Sequence, residues 1–399
     1  MASTGRAVTA DLDHAATTRL RPEARAAMEP FLDDRYGNPS GAHALGRDAV
    51  RALDEARERI ASLLGCAPGE VVVTSGGTEA DNHAVTGGLP ARPGVPVCGA
   101  TEHHAVLDVV RVLGGRTVAV DALGRLDRDG LAAVLDDVTG SGVEVGVVSV
   151  MLANNELGTI NDLRAVADVV DRHAPGAPVH TDAVQAAPWL DLSVHAAPAS
   201  LVSISAHKFG GPKGVGVLVV RSGTTLRPLL HGGGQERNRR SGTVNVAGVV
   251  GLAAALEATV RDRDELSIRT AARRDRLARG LSERVDGLRE TVVVDGDRSH
   301  LLPNLCHLMI DGVDPEALLF LIDDGGVRAS SASSCASGAV ERSQVVDALA
   351  ATGVAVDGAA LRLSLGWDTT DDEIDLALDV IPAAVARIRA HADTVDVRG

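Results

Sequence analysis

Between Val71 and Val220 the chain alternates short Val-rich apolar runs with stretches whose apolar residues recur at helical spacing. "VVVT" is followed by "EADNHAV", "VPVCGA" by "HAVLDVVRVL" and "VGVVSVM" by "LRAVADVVDRH"; "PVHTD", "LVSIS" and "GVGVLVV" complete the series. Near-continuous apolar strands separated by helices predict a largely parallel sheet covered on both faces. Ligands of such sheets gather at the carboxyl ends of the strands, where several polar motifs of this chain fall. Around residues 246 to 290 the pattern changes to long Ala/Arg/Leu-rich helices, including "ELSIRTAARRDRLARGLSERV", which link the sheet to a second unit. That unit has shorter strands, "HLMI" and "LRLSL", with helices near "DPEALLFLI" and "DDEIDLALDVIPAAVARIRAH". The expected fold class is therefore α/β followed by a smaller α+β domain, without an internal repeat.

Length agrees with two units, since 399 residues exceed what one core usually holds. A formal charge of −15 argues against broad nucleic-acid or anionic-membrane binding. No apolar run approaches the ~20 residues that span a bilayer. The opening "MASTGRAVTADLDHAATT" has no apolar signal region, so a cytoplasmic protein is expected. Four scattered cysteines lack the spacing of a zinc site or a disulfide framework. Cys66, Cys98 and Cys306 have mainly apolar or Gly/Pro neighbours and read as small core residues. Cys335, in "SSASSCASGA", stands in a run that forms little core and reads as an exposed, mobile loop.

The cations are distributed in an unusual way. Of 39 Lys+Arg residues only Lys208 and Lys213 are lysines, and both lie in "SISAHKFGGPKG". Arginine serves for ion pairs and anion binding, but only lysine offers an amine that can lose its proton and condense with a carbonyl. Lys208 closes the "LVSIS" run, and Asp182 closes the preceding "PVHTD" run with Gln185 shortly after. Two successive strand ends would thus bring an acid and an amine to one cleft, the pairing that suits pyridoxal phosphate; Asp182 alone would also serve as a helix cap. "TSGGTEADN" leads from a strand through Gly76 and Gly77 into a helix near Thr78, which suits a phosphate or an ordinary turn and N-cap. His103 in "TEHHAV" and Asn154 and Asn155 in "LANNELG" sit at the same sheet edge, available to a flat ligand or to local turns.

Together these motifs resemble the cysteine desulfurases of the NifS/IscS-like group, pyridoxal-phosphate enzymes of the type I, aspartate-aminotransferase-like fold. The likeness runs nearly end to end through "LDHAATT", "YGNPSGAHALGR", "TSGGTEADN", "TEHHAVLD", "ANNELGTI", "HTDAVQ", "SAHKFGGPKGVG", "HGGGQER", "RSGTVNV", "SSASSCASGA" and "LRLSLG". It implies a mostly parallel, seven-stranded-type sheet in a large cofactor-binding domain over residues 19–262. A small domain over 263–399 would carry the cysteine loop, and residues 1–18 would pack with it.

By the same resemblance Lys208 is the Schiff-base lysine, Asp182 pairs with the ring nitrogen, Gln185 contacts the ring hydroxyl, and His103 stacks on the ring and moves protons. Gly77, Thr78, Ser205 and His207 would hold the phosphate, joined by Thr243 from the second subunit of a homodimer. Asn155 and Arg362 would take the substrate carboxylate, with Asn38 bordering that site and Lys213 in a supporting role. Cys335 resembles the catalytic thiol of the loop-bearing class, marked by Ser-Ser-x-Ser-x-Cys. The implied reaction removes sulfur from L-cysteine, giving L-alanine and a persulfide on Cys335 for an acceptor. That acceptor could serve iron–sulfur assembly, tRNA or DNA thiolation, or biosynthesis. No metal, membrane or direct nucleic-acid partner is expected. The chain departs from the family's pattern in a polar segment before "LDHAATT", in Trp367 where a basic residue is common, and in ending at "HADTVDVRG" without the long tail that docks a scaffold in some relatives. The competing readings are a selenocysteine lyase or other lyase or transaminase on this fold, and a catalytically idle sulfur-relay subunit.

Overall fold

The Val-rich runs become strands because every second residue has an apolar layer to enter on each side. In chain order the strands are β1 (Ala10–Asp11), β2 (Val71–Thr74), β3 (Val95–Gly99), β4 (Arg116–Val118), β5 (Val145–Ser149), β6 (Val179–Asp182), β7 (Leu201–Ser205), β8 (Gly216–Val220), β9 (Leu288–Glu290), β10 (Leu305–Ile310), β11 (Val327–Arg328) and β12 (Ala359–Ser364). These come from a computed structural model that describes residues 9–89, 94–331 and 343–396. Strands β2 to β8 form one seven-stranded sheet in the order β2-β8-β7-β6-β5-β3-β4. β8 runs antiparallel to β2 and β7, and the other pairings are parallel. Along β2, Val71 and Val73 enter the largest core while Val72 joins a separate cluster with Ala80, Ala84, Leu201 and Leu218. Both faces are therefore dry, which explains why polar alternation is missing from the sequence. The expected apolar runs account for six strands. The seventh, β4, lies at the sheet edge with Arg116 and Thr117 exposed, so it has no apolar run to reveal it.

The second unit is built on an antiparallel sheet, β12-β10-β9. Its core joins Leu308 and Ile310 of β10 to Leu361 and Leu363 of β12, with Ile374 and Ile381 from the helix Asp371–Asp396. Where several helices were expected after residue 246, one unbroken helix runs from Val246 to Arg284, 39 residues and about 58 Å long. Its residues through Leu266 enter the large core, and Leu277, Ala278 and Leu281 enter the second.

Residues 10–18 also touch both units. β1 pairs in parallel with β11, and Ala10 and Leu12 enter the second core. Farther along, Thr18 donates from its backbone N–H and its hydroxyl to the carbonyl of His207, at 2.9 and 2.8 Å. In return the Gly210 N–H donates to Thr18 Oγ1 at 2.8 Å.

Candidate active site

Lys208 ends the short turn Ala206–Lys208 that follows β7, so its amine emerges at the carboxyl edge of the sheet. The ammonium donates to the backbone carbonyls of Ala15 at 2.6 Å and Ala16 at 2.9 Å, and Gln185 Nε2 donates to the same Ala15 carbonyl at 2.8 Å. Carbonyl acceptors bear no residue signature, and sequence reasoning therefore missed this clamp.

Asp182, the last residue of β6, lies on the strand beside β7 and is buried. Its Oδ1 accepts a 2.8 Å bond from the Val184 N–H. Burial pushes this carboxyl up, while His103, the Val184 N–H and Lys208 pull it back toward the ionised form. An added cation beside it would complete that shift. His103 caps the helix His104–Val112, its Nδ1 accepting from the Ala105 N–H at 3.1 Å. Burial lowers its pKa and so favours the neutral ring, against the opposing pull of Asp182. With Nδ1 an acceptor, the single ring proton resides on Nε2.

Beneath these groups lies a sealed polar layer. Glu102 is 1% exposed and accepts from the Met151 N–H at 2.5 Å, and burial raises its carboxyl well above the usual range. Asp81 is raised well above the usual range too, by burial first and then by Asp182. His180 places Nε2 3.0 Å from Ser203 Oγ and 3.6 Å from Asp81 Oδ1, with Nδ1 2.8 Å from Ser149 Oγ. Burial pushes that imidazole down to about 3. Burial thus disfavours the charged form of Asp81, Glu102 and His180 alike, whereas Asp182 also has His103, the Val184 N–H and Lys208 favouring its ionised form. Sequence reasoning did not single out Glu102 or Asp81; two acids following successive apolar strands were the available signal.

At the other end an open cleft of about 410 Å³ is lined by Gly76, Gly77, Thr78, Ser205, His207 and Lys213, among others. Gly76 has φ +152°, a value that side chains disfavour, and the 11-residue helix Gly77–Gly87 starts behind it. A Cβ on Gly77 would lie 2.9 Å from Val184 Cγ2. The missing side chains leave the helix-start N–H groups open to an oxyanion. His207 Nδ1 lies 3.1 Å from Thr17 Oγ1, and burial, with Lys208 and Lys213 adding to it, pushes its imidazole down to about 4. An amine, a buried acid near it and an uncovered helix start with two hydroxyls fit pyridoxal phosphate.

Arg362 of β12 is 5% exposed; it donates through Nη1 to the Asn155 carbonyl at 3.1 Å and through Nη2 to Asp13 Oδ1 at 2.9 Å. Sequence reasoning did not single out Asp13. Asn154 takes the turn role, its Oδ1 accepting from the N–H groups of Glu156 and Leu157, both at 2.9 Å. Glu156 accepts from Ser343 Oγ at 2.5 Å, and burial lifts its carboxyl to about 7 against the opposing pull of Ser343 and Arg362.

Of the expected site residues, Gly77, Thr78, Ser205 and His207 line this open cleft and Lys208 and Gln185 line a second, small cavity with His14 and Trp189, whereas Asn38 and Thr243 line neither. Asn38 is exposed and its Oδ1 accepts from the Ser40 N–H at 2.9 Å. Thr243 is exposed beyond Glu236, Arg237 and Asn238, which have φ of 49, 58 and 64°. That strained stretch is pinned by Glu236, whose carboxylate pairs with Arg57 at 2.8 Å and accepts from the Val73 N–H at 2.8 Å. Cys335 lies outside the described residues. Cys98 and Cys306 are core residues, whereas Cys66 is only partly buried, its thiol pushed up to about 11 by burial.

Comparison with known proteins agrees with this geometry. A cysteine desulfurase of Gluconacetobacter diazotrophicus is 41% identical over 387 residues, covering 95% of this chain and 94% of its own. The IscS-like cysteine desulfurase of Mycobacterium tuberculosis is 41% identical over 389 residues, covering 96% and 97%. A solved NifS-like protein superposes with a TM-score of 0.84 at 32% identity, over 95% of this chain and all of the other. The aminotransferase class-V family matches residues 11–377, and the chain belongs to that family.

Proposed function

We propose that the protein is a pyridoxal-phosphate-dependent cysteine desulfurase, which converts L-cysteine to L-alanine and leaves the sulfur as a persulfide on Cys335. The observation that carries the reading is the meeting of Lys208 and Asp182 at adjacent strand ends, near enough for the ammonium to pull on the carboxyl. When bound, pyridoxal phosphate supplies an aldehyde for an amine and a ring that takes up the electron pair released at the substrate α-carbon.

The chain's own residues do the rest. Lys208 Nζ, aimed by the Ala15 and Ala16 carbonyls, moves the proton at the substrate Cα. Asp182, ionised once a cation is beside it, holds the ring-nitrogen proton. His103, with its proton on Nε2, is placed to donate one. Arg362 takes the substrate carboxylate with Asn155, exchanging part of its hold on Asp13. The Cys335 thiolate attacks the substrate sulfur; an S–S bond forms, the C–S bond breaks, and its electron pair stays with the carbon, which takes up a proton to give alanine.

Further assignments rest on the same reading. Gly77, Thr78, Ser205 and His207 hold the phosphate, and Gln185 meets the ring hydroxyl. Thr243 reaches the cleft of a second copy, so the working unit is a homodimer, and Asn38 borders the substrate there. The large domain comprises 19–262 and the small one 263–399, with residues 1–18 attached to the latter. Among the described residues no helix is long and apolar enough to cross a membrane. We assign the protein to the cytoplasm, with an acceptor protein for the persulfide.

The deciding experiment follows alanine and sulfide from L-cysteine with excess reductant, for the native protein and for Cys335→Ala. Release by the native protein alone supports the reading. Equal release by both would turn it into a lyase, and release by neither would leave a relay subunit or another substrate.

A further inference from the structure

A phosphate carried into the cleft at the start of the helix Gly77–Gly87 has two negative charges to be met. The hydroxyls of Thr78 and Ser205 and the helix-start N–H groups offer dipoles, not full charge. Glu79 also lines the cleft, but its carboxylate is engaged by Arg240, at 2.8 and 3.1 Å, and by the Ser75 N–H at 2.8 Å. His207 is neutral at working pH. Among the described residues lining this cleft, that leaves Lys213 as the full positive charge.

We propose that Lys213 is a binding residue for the cofactor phosphate, supplying a full positive charge to the cradle that the helix start and the two hydroxyls begin. Its place in the chain fits the task. Lys213 is exposed in the turn between β7 and β8, with Pro212 fixing the backbone before it and Gly214 at φ +76° after it. A Cβ on Gly214 would meet nothing within 4 Å, so the turn is open at this point. Its charge already bears on the neighbouring His207 ring, whose own proton it helps to exclude. The proposal also accounts for the second lysine in a chain that uses arginine for its other 37 cations. A compact ammonium enters a cradle crowded with hydroxyls more readily than a planar fork.

The inference rests on the functional reading, and the test separates the two. Protein stripped of cofactor is titrated with pyridoxal phosphate and, in parallel, with unphosphorylated pyridoxal, following the visible absorbance of the bound ligand at about 0.05 and 0.5 M salt. Lys213→Gln should weaken pyridoxal phosphate about tenfold at low salt, the lower end for a hydrogen bond between charged partners. The gap should shrink at high salt, pyridoxal should bind equally to both proteins, and Lys213→Arg, which keeps the charge but not the compact shape, should recover only part of the loss. An unchanged affinity in Lys213→Gln, or an equal loss for pyridoxal, overturns the role of Lys213. No uptake of either ligand by the unsubstituted protein overturns the functional reading, and this inference with it.

Discussion

The two ends of the cleft solve the problem of charge in opposite ways. At the ring end Asp81, Glu102, Asp182 and Glu156 are nearly sealed, and burial sets their protonation before any local bond does. At the phosphate end Thr78 and Lys213 are exposed, and what matters is backbone left bare by Gly76 and Gly77. One end is tuned by desolvation, the other by shape. Substitutions at the first should therefore act through protonation and its pH response, and substitutions at the second through fit and direct contact.

The sharpest break would come from Lys208→Ala, which removes the amine while leaving both ends intact. Alanine formation should fall by at least about 10³-fold, within the range for loss of a positioned acid–base group; a tenfold loss or less would remove Lys208 from the chemistry. Asp182→Asn keeps the size and discards the charge, so turnover should fall by about 10²-fold or more. The cofactor-free protein should meanwhile be at least as stable, because a desolvated carboxyl is gone; a drop in its urea midpoint would contradict the contrast.

Glu156→Gln reads the sealed wall through pH. Its carboxyl titrates at about 7 in the folded chain against an ordinary value of 4.5, so the folded state binds the proton more tightly than the unfolded one. Stability is then lost as pH rises from about 4.5 to about 7 and stays lower above that, a difference of about 3 kcal/mol. The glutamine variant should gain most of this at pH 8 and nothing at pH 4, with Ser343 still able to donate to the amide oxygen. Urea midpoints at the two pH values check it, and an unchanged pH slope would reject it. The smallest effect belongs to the other end. In Gly77→Ala the new Cβ, 2.9 Å from Val184 Cγ2, should cost about 1–2 kcal/mol by overpacking. Thermal unfolding of cofactor-free protein should show it, and unchanged stability would mean that Val184 yields freely.

Most of the sheet and the pairing of Lys208 with Asp182 could be read from the chain, because residue type and position each carry the signal there. Strands buried on both faces write themselves as valine runs, and a lysine among arginines marks amine chemistry. Other features had no such mark. β4 is an exposed edge strand of three residues, and the helix Val246–Arg284 changes the core it faces partway along, which blurs its period. The Ala15 and Ala16 carbonyls are backbone, while Asn38 and Thr243 are exposed on this chain.

The segment that clamps Lys208 sets a schedule for biosynthesis. Its position depends on β11 and on Ser364, which bonds the N–H groups of His14 at 3.2 Å and Ala15 at 2.9 Å. Residues 10–15 leave the ribosome well before these partners, which are made more than 300 residues later. A nascent chain with its large sheet already folded would still present Lys208 without its two carbonyls. The amine is thus aimed only once β11 and β12 have been made, and productive capture of the cofactor follows that step of maturation.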